Sequence, residues 1–253
     1  MLSEVEQFNL LNRFTSFVLI NTSHPGNIGA SARAIKNMGF NNLTLLNPKD
    51  FPNDIATYRA KAAIDVVNSA RVAQSLDEVI QDCNFIVGTS ARNRKIPWPL
   101  KEPKEATKEI IDRVINKKQK VAILFGREDR GLTNEELGRC NLHIHIPTSE
   151  EYSSLNLSQA VQIISYELRL AIKEVISNDP KQEWDVPIAT DQEIELLLNH
   201  IDDLMLELDF YDPKNPRKLL ERVRRLFKRT DLDTMESSIL RGVIASIQEK
   251  LKN

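Results

Sequence analysis

The chain of 253 residues is 41% hydrophobic and 28% charged, with a formal net charge of −2, which suits one large domain or a domain with an appendage and excludes a disordered tail. No run approaches the roughly 18 consecutive apolar residues that a membrane span needs, and the N-terminus, with Glu4 and Glu6, has no apolar signal core. A soluble, cytoplasmic protein without a membrane partner is expected, and Cys83 and Cys140, outside any CxxC or Cys/His spacing, provide neither a disulfide framework nor a structural zinc site.

The first part of the chain alternates strand-like and helix-like runs. Apolar, β-branched segments stand at Ser16–Ile20, Leu43–Asn47, Asn84–Gly88, Lys120–Phe125 and Leu142–Ile146, with amphipathic or capped stretches between most of them. That alternation predicts an α/β domain whose largely parallel sheet is covered on both faces. In the helix after the first strand, Asn27 is placed to cap, Ile28, Ala32, Ile35 and Met38 share a face, and Gly39 suits the left-handed position beyond the end. A long amphipathic run starts at Leu157 and stops at Asn178-Asp179-Pro180.

Residues 177–190 lose periodicity and carry two prolines, so a linker is expected there, between a main domain of residues 1–176 and a helical C-terminal module of residues 191–253. In that module Leu196, Leu197, His200, Leu204 and Leu208 suit one helix. Asn215-Pro216 is expected to start a second, and Met235 to Leu251 supplies a third. Charge is blocked by sign. From Asp191 to Asp212 there are eight acidic side chains and no Lys or Arg, whereas from Lys214 to Thr230 there are eight basic ones against Glu221 alone. Either the two blocks neutralise each other as adjacent helices, or the basic face, including Arg222, Arg225 and Arg229, meets a polyanion.

The unusual clusters all follow predicted strands: residues 24–29, 89–94, 126–131 and 147–156. Open α/β sheets bind ligands at the carboxyl ends of their strands, so these four loops are expected to converge on one site. The glycines of Gly26-Asn27-Ile28-Gly29 form neither GxGxxG nor a P-loop, which argues against dinucleotide or nucleoside-triphosphate binding. Gly88, Gly126 and Gly131 permit close main-chain approach to a heteroaromatic ring or an amino-acid tail. His143 and His145 share a strand face with no supporting carboxylate, so no metal site is expected.

Three ordered motifs carry a family resemblance: NTSHPGNIGASARA at residues 21–34, LFGREDRGL at 124–132 and YSSLNLS at 152–158. Across about 160 residues the chain resembles the SpoU branch of the SPOUT RNA methyltransferases. GTSAR at 88–92, IPWP at 96–99 and RRLF at 224–227 look specifically like its TrmJ group of bacterial tRNA 2′-O-methyltransferases. The resemblance implies methyl transfer from S-adenosylmethionine to a ribose 2′-hydroxyl, a SPOUT-type parallel sheet with a C-terminal trefoil knot, and a homodimer. Residue patterning alone points instead to an ordinary doubly wound sheet. The apolar Leu157–Ile176 helix is a candidate interface element.

Carried over by position, the resemblance assigns the activating role to Arg33. A guanidinium is protonated under nearly all conditions, so it suits a donor to the forming alkoxide or to the adjacent phosphate, and the proton acceptor stays open. The cofactor is implied against Thr89, Ser90, Ala91, Gly126, Ile146, Ser153, Ser154 and Leu155. Asn156 is implied to brace its loop, while Ser154 and Asn156 have the groups to orient ribose or phosphate or to cap the following helix. Glu128 has three readings: bonding backbone amides, pairing with Arg33, or acting as base. Arg92 and Arg94 offer guanidinium forks to phosphate. The TrmJ likeness implies tRNA as partner and the ribose at anticodon-loop position 32 as target. An rRNA or another tRNA ribose is the same-class alternative, and a non-catalytic RNA-binding protein of this fold the other.

Overall fold

Alternation of β-branched runs with amphipathic stretches produces eleven α-helices and seven strands among the residues that the computed structural model describes, which are 4–90, 99–151, 153–175 and 186–252. They form two compact units, Met1–Gln182 and Glu183–Asn253.

In the first unit the order is α1 (Glu4–Phe14), β1 (Thr15–Ile20), α2 (Pro25–Asn37), β2 (Leu43–Leu46), α3 (Asp54–Ala60), α4 (Ile64–Asn68), β3 (Arg71–Ala73) and α5 (Leu76–Ile80). Then come β4 (Phe85–Thr89), β5 (Leu100–Lys101), α6 (Pro103–Ile115), β6 (Val121–Phe125), α7 (Asn134–Gly138), β7 (Leu142–Ile144) and α8 (Leu157–Val175). All strand pairs are parallel, in the order β3-β2-β1-β6-β4-β7-β5. The five expected strands are β1, β2, β4, β6 and β7. The short edge strands β3 and β5 carry too few apolar residues to show as alternation, and α1 shows no apolar block, although its Leu11 is fully buried.

Side chains alternate across the sheet and reach two separate cores. Phe17 and Leu19 of β1 join Ile28 and Ile35 of α2, Ile110 of α6 and Val161 and Leu168 of α8 on one face. Val18 and Ile20 join Ala122 and Leu124 of β6, Ile80 of α5 and Leu137 of α7 on the other. Burial on both faces explains why β1, β4 and β6 read as nearly continuous apolar runs.

The start of α2 differs from expectation. His24 is the cap: its Nδ1 accepts from the Gly26 amide at 3.0 Å and Pro25 takes the first helical position, where the missing N–H costs nothing. Asn27 already lies inside the helix, which releases its side chain for other work. Gly39 takes φ +89° beyond the C-terminus, as expected.

The second unit holds α9 (Asp191–Glu207), α10 (Leu219–Arg229) and α11 (Thr234–Leu251). Of the expected linker, residues 177–185 lie outside the described residues, and its last part belongs to this unit. Ile188 bridges to Asp233, the Ala189 amide donates to Leu232 O at 2.9 Å, and Thr190 forms a capping box with Glu193. The second helix starts at Leu219 rather than at Asn215-Pro216, because Arg217 adopts φ +51° and breaks the helical path. The core is Ala189, Ile194 and Leu198 against Val223, Phe227 and Leu232.

The charge blocks partly neutralise each other. Lys228 is buried against Asp191, with side-chain exposures of 2% and 1%, and lies 3.5 Å from Glu195, which also pairs with Arg224. Removing one member of such a buried pair costs about 3–5 kcal/mol, since the other charge is left without a partner. Arg222 and Arg229 remain exposed and Arg225 is half-buried.

Candidate active site

Strands β1, β6, β4 and β7 are neighbours in that order and parallel, so the loops after them leave one edge of the sheet together. Three of these loops enclose a cleft of about 180 Å³. Its walls are Thr89 and Ser90 after β4, Gly126 to Leu132 after β6, Ile146 after β7, and Ser153, Ser154 and Leu155 before α8, over a floor that includes Phe125, Ile144 and Leu157. The structure thus brings together Thr89, Ser90, Gly126, Ile146, Ser153, Ser154 and Leu155. Ala91, Arg92 and Arg94 lie outside the described residues.

Part of the polarity in the loop after β4 is spent internally. Thr89 Oγ1 donates to Leu124 O at 3.0 Å, and the Ser90 amide donates to Ile144 O at 2.9 Å. An apolar floor under walls of polar side chains and main-chain groups suits a flat heteroaromatic ring with a polar tail, so S-adenosylmethionine fits the site.

The loop after β6 is a tight hairpin. The Gly131 amide donates to Arg127 O at 2.8 Å, and Gly131 itself takes φ +69°. A Cβ on Gly126 would lie 2.1 Å from the Gly131 carbonyl carbon and 2.2 Å from the Leu132 nitrogen. Glycine is therefore required first by the loop's own backbone and only then by a ligand. Beneath the loop, the Arg127 guanidinium donates to both oxygens of Glu136 at 2.9 Å, and the same carboxylate accepts the Thr133 amide at 2.7 Å to cap α7. This clamp was not anticipated. The Thr133-x-x-Glu136 spacing is a legible capping box, but nothing local reveals that Arg127 folds back on it.

The next residue reaches the opposite way. Glu128 Oε2 accepts the Ser23 amide and hydroxyl at 3.1 and 3.0 Å, and Oε1 accepts the His24 amide at 3.3 Å and Asn27 Nδ2 at 2.9 Å. A carboxylate is thereby seated at the positive end of α2. Asn27 Oδ1 in turn accepts from Asn156 Nδ2 at 3.1 Å, while Asn156 Oδ1 takes the Ser158 amide at 2.9 Å and hydroxyl at 2.7 Å at the start of α8. Glu128, Asn27 and Asn156 form one chain linking the three motifs. Of the readings open for Glu128, the geometry matches amide bonding, because both carboxylate oxygens are occupied. Arg33 is exposed on α2 and pairs with no carboxylate among the described residues. Ser154 is exposed at the cleft.

Among the described residues no group of His, Cys, Asp and Glu could hold a metal ion. His143 is buried with Nε2 at 3.0 Å from Leu137 O, and His145 Nδ1 lies 3.3 Å from Ser90 O.

The motifs sit in a known setting. The SpoU rRNA Methylase family matches residues 15–166, and the C-terminal domain of the tRNA methyltransferase TrmJ matches residues 192–253. The chain belongs to the SpoU family, in its TrmJ branch. It is 43% identical over 239 residues to the tRNA (cytidine/uridine/adenosine-2′-O-)-methyltransferase TrmJ of Pseudomonas aeruginosa, covering 92% of this chain and 93% of that one. It is 40% identical over 236 residues to the tRNA (cytidine/uridine-2′-O-)-methyltransferase TrmJ of Salmonella typhimurium, covering 93% and 96%. The crystal structure of TrmJ from Z. mobilis superposes with a TM-score of 0.78 at 28% identity, over 92% of this chain and 99% of that one.

In this SpoU domain the tie between motifs is expected to weaken in acid. Partial burial pushes the Glu128 carboxyl up, but the hydrogen bonds from Asn27 and Ser23 outweigh it and hold its pKa below the ordinary value. A depressed folded pKa contributes stability that is present above the unfolded value, about 4.3, and lost as pH falls through the folded one. Glu128→Gln is therefore expected to lower the melting temperature at neutral pH, and the gap to wild type should close below about pH 4. Thermal unfolding of both proteins between neutral and acid pH checks this, and a gap independent of pH would refute it.

Proposed function

We propose that this chain transfers a methyl group from S-adenosylmethionine to a ribose 2′-hydroxyl of tRNA, at position 32 of the anticodon loop. The observation that carries it is likeness over nearly the whole chain, C-terminal module included, to enzymes named tRNA 2′-O-methyltransferases. An anticodon-loop ribose suits the open cleft edge, since it is reached without opening a long helix.

When bound, S-adenosylmethionine supplies an electrophilic methyl group on a sulfonium sulfur. The chain must hold a weak nucleophile in line with that methyl and favour its deprotonated form. Arg33 is the catalytic residue in this proposal: its guanidinium donates to the developing alkoxide or holds the neighbouring phosphate. Ser154, exposed at the cleft, orients the ribose or phosphate. Glu128 and Asn156 are positioning residues that hold α2, and with it Arg33, against the cofactor loops. Thr89, Ser90, Ala91, Gly126, Ile146, Ser153, Ser154 and Leu155 surround the cofactor, and Arg92 and Arg94 meet phosphate.

The knot belongs to the same proposal, with the segment after β7 passing through the loop before it. The sheet order and the packing of α8 against both α2 and α6 support it. A homodimer through the catalytic domain is part of the same proposal, and α8 leaves Tyr166 and Leu170 exposed for it. The domain of residues 1–176 would carry the chemistry and residues 191–253 would extend the tRNA contact.

Nucleoside mass spectrometry of total tRNA and rRNA from cells lacking this chain tests the function. A fall in 2′-O-methylcytidine and 2′-O-methyluridine in the tRNA pool is expected, whereas loss confined to rRNA would overturn the tRNA assignment. On the second unit, Arg222 and Arg229 are the basic side chains left exposed on α10, while Arg224 and Lys228 face α9. Replacing Arg222 and Arg229 with Glu is expected to weaken tRNA binding for all sequences and to flatten its salt dependence by roughly one unit per lost phosphate contact. Affinity measured across a salt series decides this, and an unchanged slope would remove α10 from the RNA surface.

A further inference from the structure

The outer face of α11 is apolar through its middle. Ile239, Val243 and Ile247, each four residues beyond the last, are 58%, 53% and 39% exposed. The helix packs within its unit through a different face, which carries the buried Ser237 and Ile244. Isolated exposed apolar residues are ordinary, but three adjoining on one face mark an interaction surface.

The charges at the ends of the row select its occupant. At about 100° per residue, a seven-residue step returns to nearly the same line, so Glu236, Val243 and Lys250 stand along one edge of the helix. Glu236 and Lys250 are exposed. A parallel copy of α11 would set Glu against Glu and Lys against Lys. An antiparallel copy centred on Val243 sets each Glu236 beside the other chain's Lys250 and Ile239 opposite Ile247. A two-fold axis makes these contacts reciprocal.

We propose that α11 pairs antiparallel with α11 of a second copy of this chain, about a two-fold axis at Val243. A helix of 18 residues is about 27 Å long. One such ridge covers less than the roughly 1,200 Å² typical of a stable interface. The pairing is therefore weak alone and takes hold between chains already brought together. It is separate from the catalytic-domain dimer and does not rest on the proposed enzymatic activity.

Disulfide trapping in the full chain tests it, and the native Cys83 and Cys140 are buried, which keeps background low. Val243→Cys places two thiols at the axis and should form a covalent dimer under mild oxidation, whereas Arg241→Cys, exposed on another side of the same helix, should not. Adding Lys250→Glu to Val243→Cys turns both end pairs repulsive and should slow trapping about fivefold at low salt, an effect that high salt removes. Equal trapping at positions 241 and 243, or none at 243 because the ridge docks within its own chain, overturns the proposal. All three substitutions are at exposed positions, so folding is retained, and unchanged circular dichroism confirms that before trapping is read.

Discussion

Arg33→Ala is expected to lower methyl transfer by about 10²–10³-fold while S-adenosylmethionine affinity stays close to wild type. The separation follows from placement. Arg33 stands exposed on α2, whereas the cleft walls come from the loops after β4, β6 and β7 and the turn before α8. Since its side chain is exposed, its loss should change stability by no more than about 0.5 kcal/mol. Arg33→Lys should not restore the rate, because an ammonium lacks the guanidinium's fixed fork of donors. Single-turnover rates and cofactor calorimetry on the three proteins make the comparison. A near wild-type rate in Arg33→Ala would remove it from the chemistry.

The second large effect is expected at Gly126, on the cofactor side. A methyl group there would sit 2.1 Å from the Gly131 carbonyl carbon, so the hairpin must open before any ligand arrives. Gly126→Ala should therefore already cost at least about tenfold in cofactor affinity and about 1–3 kcal/mol of stability, with Gly126→Val only moderately worse. If the glycine served merely to leave space for a ligand, alanine would be mild and valine severe. Calorimetric titration and thermal unfolding of both variants separate the two cases. Cofactor affinity in Gly126→Ala equal to wild type would show that the hairpin does not shape the cleft.

The Arg127–Glu136 clamp and the Glu128–Asn27–Asn156 chain explain why both effects should be large. Successive residues of one loop hold it down on α7 and across to α2, so the cleft and the helix that carries Arg33 share a support. A change in either tie should be felt at both.

Much of this was determined by the sequence alone, because it depends on local order along the chain. The strands at β1, β2, β4, β6 and β7 show as β-branched runs, since a strand buried on both faces must be apolar throughout. That four loops leave one sheet edge follows from parallel strands, though only three of them line the cleft, and the three motifs carry the family resemblance with Arg33, Glu128 and Asn156 already in place. Edge strands β3 and β5 and helix α1 were not legible, because two or three residues of strand or one buried Leu11 per few turns leave little periodicity. Pairings across long separations were left to the tertiary structure. Glu128 meets Ser23 across 105 residues, Asn156 meets Asn27 across 129, and Lys228 meets Asp191 across 37. Composition says that charges of both signs are present, but burial decides which cation is consumed: Lys228 became a core ion pair while Arg222 and Arg229 stayed on the surface. The reason is physical. Helix and strand follow from neighbours a few residues apart, whereas the partner of a charge is selected only when folding removes water and leaves it one place to go.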